Sequence, residues 1–301
     1  MANSNPYDDL LTSTSGDISA IQRFYHAHRT NRNAQQKAKL LDPAFSAFAI
    51  DDILRKLTDP IDFPNFEDPR YCLVLWARPT SEVKQLASTI QQKLIAEFPN
   101  LWLMPLENMH TTSMEVTHSR TREEIEAIVD KFNHAIPDIT DYTSNHRSRL
   151  TKPLLGFDSQ AIALSFLPAA GEGLKDGRTA EDDSYSYHHL RRDLFGLCDK
   201  AGVDVQSRYV LPTAHLTLGR FINGNDFRDS PEGSLNHERV ADLVATVESI
   251  NNWLEAEYWP SDDGGIKPGG QWIVGEGKGL DCREGQVWYG GGRSIHVGRG
   301  S

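Results

Sequence analysis

Cysteine is scarce in this chain of 301 residues: there are three, at positions 72, 198 and 282. An odd, widely spaced set makes a poor disulfide framework and offers no C-x-x-C pair to a metal. Cys72 lies in an apolar run and Cys198 in a helical pattern, so buried free thiols in a reducing intracellular compartment are expected. Long apolar runs are missing too; stretches such as 72–77 and 161–167 are far too short to span a bilayer. The opening residues, Met1-Ala2-Asn3-Ser4-Asn5, lack the basic and apolar regions of a secretory signal. No membrane association is expected, and the cytoplasm, with the nucleus as the alternative, is the expected location. Positive charge is also short, with 31 Lys and Arg against 42 Asp and Glu, a net −11. That argues against a long, non-specific grip on nucleic acid. It leaves room for a small phosphate ester held by a few local donors.

What is present is an ordinary globular composition, 39% hydrophobic and 24% charged, with length enough for a sizeable core. Residues 1–69 read as a helical layer. Asp17 can cap a helix whose spacing puts Ile18, Ile21, Phe24 and Tyr25 on one face. A second helix is predicted to carry Phe45, Phe48, Ile53, Leu54 and Leu57, and Pro60, Pro64 and Pro69 then mark a linker. Residues 70–260 alternate strands and helices. A buried strand at 71–77 leads to a helix over 82–98 capped by Thr80 or Ser81, and strands follow at 101–106 and 109–116. Thr121-Arg122-Glu123-Glu124 opens the next helix. The second half shows an antiparallel pair at 154–157 and 161–167, a polar loop at 171–184 read as mobile, and a helix over 185–201. A strand at 209–222 and a long helix at 237–259 complete it. Residues 261–301 read as a glycine-rich β-hairpin extension packing on that core, with short strands at 271–276, 279–283 and 286–289. Gly290-Gly291-Gly292 has no Lys-Ser/Thr and no helix behind it, so a turn is expected there and not a phosphate loop.

Both halves of the core run strand, helix, His-x-Thr strand, helix, a loose internal duplication. The chain holds four His-x-Ser/Thr triplets. Those at His28 and His146 stand in polar, arginine-flanked surroundings and read as solvated. Those at His110-Thr111-Thr112 and His215-Leu216-Thr217 stand in apolar strands at matching places. Side chains alternate along a strand, so each histidine shares a face with the threonine two residues on. A hydrogen-bonded core histidine would explain either triplet alone; the pair in matching contexts points to a phosphate site.

The strings Met109-His110-Thr111-Thr112 and Pro212-Thr213-Ala214-His215-Leu216-Thr217-Leu218 resemble the paired H-x-T/S motifs of the 2H phosphoesterase superfamily. That group includes the 2′-5′ RNA ligase-like proteins and the cyclic nucleotide phosphodiesterases. Arg220, five positions after His215, falls where many bacterial members carry an arginine. The resemblance covers roughly residues 71 to 259, and the flanking segments resemble those of fungal relatives. It implies an α+β, bilobal fold: two pseudo-symmetric antiparallel sheets, flanked by helices, around a central cleft, each lobe giving one His-x-Thr strand.

Histidine can take and give protons near neutral pH, so two imidazoles can flank one phosphodiester. His110 and His215 are the candidate catalytic pair. Thr112 and Thr217 would donate to the non-bridging oxygens, with Arg220 as a third phosphate contact or a salt-bridged arginine. Tyr209 and Trp288 are candidate base-stacking platforms, with core packing as their competing role. No cofactor and no metal is expected. The function so implied is a phosphodiesterase that opens a 2′,3′-cyclic phosphate or acts on a 2′-5′ linkage, as in RNA processing. Its partner would be a small cyclic nucleotide or a short oligonucleotide end, and the protein a monomer. The alternatives are an isomerase or lyase that reuses the same histidines on a non-phosphate metabolite, and a nucleotide-binding protein without turnover.

Overall fold

Local chemistry sets most helix boundaries in the computed structural model, which describes residues 4–174, 178–208, 210–230 and 233–300. After a short α1 (Asp8–Ser13), Asp17 accepts from the amides of Ser19 and Ala20 and opens α2 (Ile18–Leu40). The buried stripe of α2 runs through Ile21, Tyr25 and Arg29. Phe24, expected beside them, is 51% exposed. The next helix, α3 (Asp52–Leu57), begins only where Asp51 supplies a cap. Phe45 and Phe48 therefore lie ahead of it in irregular chain, where Phe48 packs against Phe221 and Phe227. Thr80 caps α4 (Ser81–Glu97), and Thr121 with Glu124 closes a capping box on α5 (Arg122–Phe132). The remaining α-helices are α6 (Ile136–Asp141), α7 (Tyr187–Lys200) and α8 (His237–Tyr258). Among the described residues no helix is long and apolar enough to cross a membrane.

Nine strands are described. They are β1 (Tyr71–Ala77), β2 (Leu101–Leu103), β3 (Thr111–Arg120), β4 (Arg149–Phe157), β5 (Ala161–Pro168), β6 (Ala214–Phe221), β7 (Gln271–Ile273), β8 (Asp281–Gly285) and β9 (Arg293–Val297). They form one sheet in the order β7-β4-β5-β6-β3-β1-β8-β9, with β2 paired to the far end of β6. The fold is α+β, as expected, but the two halves do not face one another as separate sheets. They join edge to edge through an antiparallel contact of Thr111 with Leu216, which lets each motif strand satisfy backbone groups of the other. β2 stops at Leu103, two residues before Pro105, which has no amide to give a ladder.

The C-terminal segment is woven into this sheet. β7 pairs with β4 at one edge, while β8 pairs with β1 near the other. Residues 286–289 form a turn, and the third strand of the segment is β9.

The sheet has two dissimilar faces. Leu73, Leu75 and Ala77 of β1 and Ala214, Leu216 and Leu218 of β6 belong to the main core, where α4 lies against β6 and α7 against β3. On the opposite face Cys72, Val74 and Trp76 form a small separate cluster with Val287. Cys72, Cys198 and Cys282 are all buried and none is in a disulfide. The stretch at 171–184, read as mobile, is anchored at both described ends. Glu172 accepts from Gln22 and pairs with Lys152, and the buried Asp183 pairs with Arg149. Residues 175–177 of that stretch lie outside the described residues.

Candidate active site

The strand contact that joins the two halves also sets the two motifs side by side. With Thr111 opposite Leu216 in an antiparallel pair, His110 comes opposite Thr217 and Thr112 opposite His215. The two histidines are then diagonal neighbours, roughly 7–8 Å apart along the diagonal with their Cβ atoms somewhat closer. His110, Thr112, His215, Thr217 and Arg220 all line one small cavity of about 60 Å³. The motif pairs therefore sit on one face of one sheet around a local two-fold axis.

Arg220 should not share that face on strand alternation alone, since it lies three residues past Thr217. A bulge solves this. β6 pairs Ile162 with Gly219 but Ala163 with Thr217, leaving Leu218 as an extra residue. The same irregularity recurs in β3, where Leu75 pairs with Met114 and Trp76 with Thr112, leaving Ser113 extra. The counterpart of Arg220 is therefore Glu115, five residues after His110, and it lines the cavity too. Counting five from each histidine in the sequence would have found it.

Glu115 is buried and held by Arg208 through a close two-pronged pair, Nη2 to Oε1 at 2.6 Å and Nε to Oε2 at 3.3 Å. Arg220 reaches Asp51 at 3.4 Å, and the Tyr289 hydroxyl donates to the same carboxylate at 2.6 Å. The N-terminal layer and the C-terminal turn thus each supply a residue that fixes Arg220. The Arg220 Nε has no hydrogen-bond partner among the described residues.

Trp76, absent from the sequence-based candidates, stacks on His110 with ring centres 3.6 Å apart and planes 15° from parallel. The guanidinium groups of Arg78 and Arg283 lie 4.8 and 5.0 Å from the Trp76 ring centre. His110 Nδ1 sits 2.8 Å from the carbonyl oxygen of Asn108. A carbonyl only accepts, so Nδ1 carries the proton and Nε2 of the neutral ring keeps its lone pair. His215 Nδ1 lies 3.3 Å from the Thr213 hydroxyl.

Trp288 lines the cavity, with the guanidinium carbons of Arg70 and Arg208 4.2 and 4.4 Å from its ring centre. Its observed stacking partners are therefore cations of the protein. Tyr209 lies outside the described residues. The two triplets read as solvated are half-buried: His28 lines a neighbouring cavity, and His146 stacks on Tyr142 at 3.7 Å. Among the described residues no group of three or more His, Cys, Asp or Glu side chains gathers as a metal-ligand set.

No protein-family model matches this chain, and no curated protein matches it. Among solved structures it is similar to a conserved protein of unknown function from Agrobacterium tumefaciens. That match has 13% identity over 77% of this chain and 85% of that one, with a TM-score of 0.42. It is also similar to Kluyveromyces marxianus Usb1 with uridine monophosphate, at 13% identity over 76% of this chain and 96% of that one, TM-score 0.36. A second structure of Usb1 from the same organism matches at 13% identity over 72% and 94%, also with a TM-score of 0.36.

Burial pushes both candidate histidines down, His110 to about 3 and His215 to about 4. Nearby cations add to the shift, Arg78 for His110 and then Arg191 and Arg220 for His215. Buried His188 is likewise held down at about 4, chiefly by burial. All three are neutral in the folded protein at pH 7 and take up protons on unfolding once the pH falls below the ordinary histidine value. The unfolded chain then binds more protons, so stability falls as pH drops from about 6.5 towards 4. Thermal melts across that window should show a declining Tm, and His188→Gln should flatten the decline.

Proposed function

We propose that the protein is a phosphodiesterase that opens a 2′,3′-cyclic phosphate, or cleaves a 2′-5′ phosphodiester, by general acid–base catalysis through His110 and His215. The observation that carries this reading is the diagonal juxtaposition of two His-x-Thr pairs around one cavity. A phosphate centred there has an imidazole on each side and a threonine hydroxyl beside each imidazole. One imidazole takes a proton from the attacking water as its oxygen bonds to phosphorus. The other gives a proton to the ribose oxygen as the P–O bond breaks. Thr112, Thr217 and Arg220 donate to the non-bridging oxygens, where negative charge accumulates.

The depressed histidines fit this task once substrate is bound. Several arginines disfavour an imidazolium in the free site, and a phosphate anion between the rings reverses that balance for one of them. The neutral partner remains a base, with Nε2 of His110 free to accept. Every acid, base and donor in this step belongs to a side chain of the protein, so activity should persist in EDTA.

The test is purified protein with EDTA and 2′,3′-cyclic nucleotides, with products followed by phosphorus NMR. Conversion to a monophosphate that continues in EDTA is expected. Binding without turnover would show a nucleotide-binding protein. Neither binding nor turnover would leave a different substrate for the same histidines, and either result overturns the reading.

A further inference from the structure

The C-terminal segment reaches His110 from two sides. The first approach runs through β8. Trp76 of β1 pairs with Thr112 on one neighbouring strand and with Asp281 on the other. Continuing the β1–β3 register past Ala77 and Thr111 brings Arg78 opposite His110, so Trp76, Arg78, His110 and Thr112 share one face. Asp281 is 3% exposed and accepts from Nε and Nη2 of Arg78 on one oxygen, at 3.1 and 2.9 Å. Arg283 stands 3.6 Å from the same oxygen. Held at that end, the Arg78 guanidinium lies 4.8 Å from the Trp76 ring centre. Its Nη1 is 3.4 and 3.5 Å from the carbonyl oxygens of Met109 and Asn108. The Asn108 oxygen is the one that His110 Nδ1 uses, and Trp76 is the ring on which His110 stacks. Arg78 thus braces both contacts that fix the imidazole, and Asp281 braces Arg78.

The second approach is the turn after β8. Asn108 Nδ2 donates to the Tyr289 carbonyl at 3.4 Å. Gly290 is buried against the same asparagine with φ +83°, and a Cβ placed there would collide with the Asn108 side chain. Only glycine meets both conditions. The first of the three consecutive glycines is therefore required by a close approach. What it approaches is the residue whose carbonyl holds His110. A ring turned over about its Cβ–Cγ bond would put carbon where Nδ1 now sits, and a neutral imidazole without a fixed partner divides between two tautomers. The two braces oppose both changes.

We infer that the C-terminal segment positions His110: Asp281 acting through Arg78, and Gly290 acting through Asn108, hold the ring so that Nδ1 keeps its proton on the Asn108 carbonyl and Nε2 is the nitrogen left for proton transfer. Neither residue lines the cavity, so both are positioning residues and not catalytic ones. The inference rests on the proposed function for the task of His110, and on β8 and its turn for the geometry.

The experiment reads the His110 tautomer by nitrogen NMR of the labelled full chain at neutral pH, the signal being assigned by its loss in His110→Gln. The unaltered protein should show the Nδ1–H form. Gly290→Ala and Asp281→Asn should each convert it to a mixture of tautomers. Both should also lower kcat for a 2′,3′-cyclic nucleotide by about 10–100-fold with little change in KM, the signature of a catalytic group moved by about 1 Å. Asp281→Asn also removes a buried counter-ion, so Arg78→Lys is its companion. That variant leaves Asp281 paired but lacks the fork that spans from Asp281 to the two carbonyls, and it should show the same mixture. Trp76→Phe, which keeps a flat ring against the imidazole, should retain the Nδ1–H form, and Trp76→Leu should lose it. An unchanged tautomer and unchanged kcat in folded Gly290→Ala and Arg78→Lys would overturn the inference and leave the phosphodiesterase reading standing. If the unaltered protein turns over no cyclic nucleotide, that reading fails, and the tautomer spectra then decide the positioning by themselves.

Discussion

Replacing His110 or His215 by alanine should lower kcat for cyclic phosphate opening by about 10²–10⁴-fold, with the double variant little worse than either single one. The reason is that the step needs a base and an acid at once. Removing one leaves the other without a partner for the proton that must arrive or depart. KM should change much less, because Thr112, Thr217 and Arg220 still line the cavity proposed to hold the phosphate. The two losses should also be similar in size, since each histidine stands opposite the threonine of the other motif across the β3–β6 contact. Steady-state kinetics on the two single variants and the double variant check this. A double variant whose loss is the product of the two single losses would mean that the histidines act independently, which the shared phosphate forbids. The variants should remain folded, because both histidines are half-buried at the cavity and not in the main core.

The largest effect on stability is expected well away from the site. Arg149 and Asp183 are 3% and 1% exposed. They are joined by Nε to Oδ1 at 3.0 Å and by a second bond from Nη2 to Oδ2. Arg149 also donates to Gln271 and to the carbonyl of Glu172, and Asp183 accepts from the amide of Gly171. The network therefore ties β4 to β7 and to the chain that follows β5. Asp183→Asn should destabilise the fold by about 3–5 kcal/mol, because it leaves the Arg149 charge buried without its counter-ion. Urea denaturation of the two proteins measures the difference. Replacing both partners with well-packed apolar residues should recover most of the loss, since the desolvation of both charges disappears with them.

Much of the local structure was legible in the sequence because it depends on neighbours in the chain. Asp17, Thr80 and Thr121 cap the helices they were expected to cap, and β1 occupies the predicted residues. Errors fell where a distant contact overrode a local pattern. Phe45 and Phe48 have helical spacing, but an aromatic cluster with Phe221 and Phe227 holds them in irregular chain. The tail looked like an appendage because its strands are short and glycine-rich, yet β8 is the neighbour of β1. Trp76 resembled any buried strand residue. Nothing local distinguishes a tryptophan in a core from one that stacks on a histidine.

By itself, then, the sequence determined most of the elements, the two His-x-Thr pairs and the face that each pair shares, since alternation along a strand is a property of the backbone. Only the tertiary structure decided that the pairs meet. That follows from the antiparallel contact of Thr111 with Leu216, residues remote in sequence. It also decided that Arg220 joins them, because the extra residue at Leu218 turns it back to the motif face and Asp51, 169 positions away, steadies it.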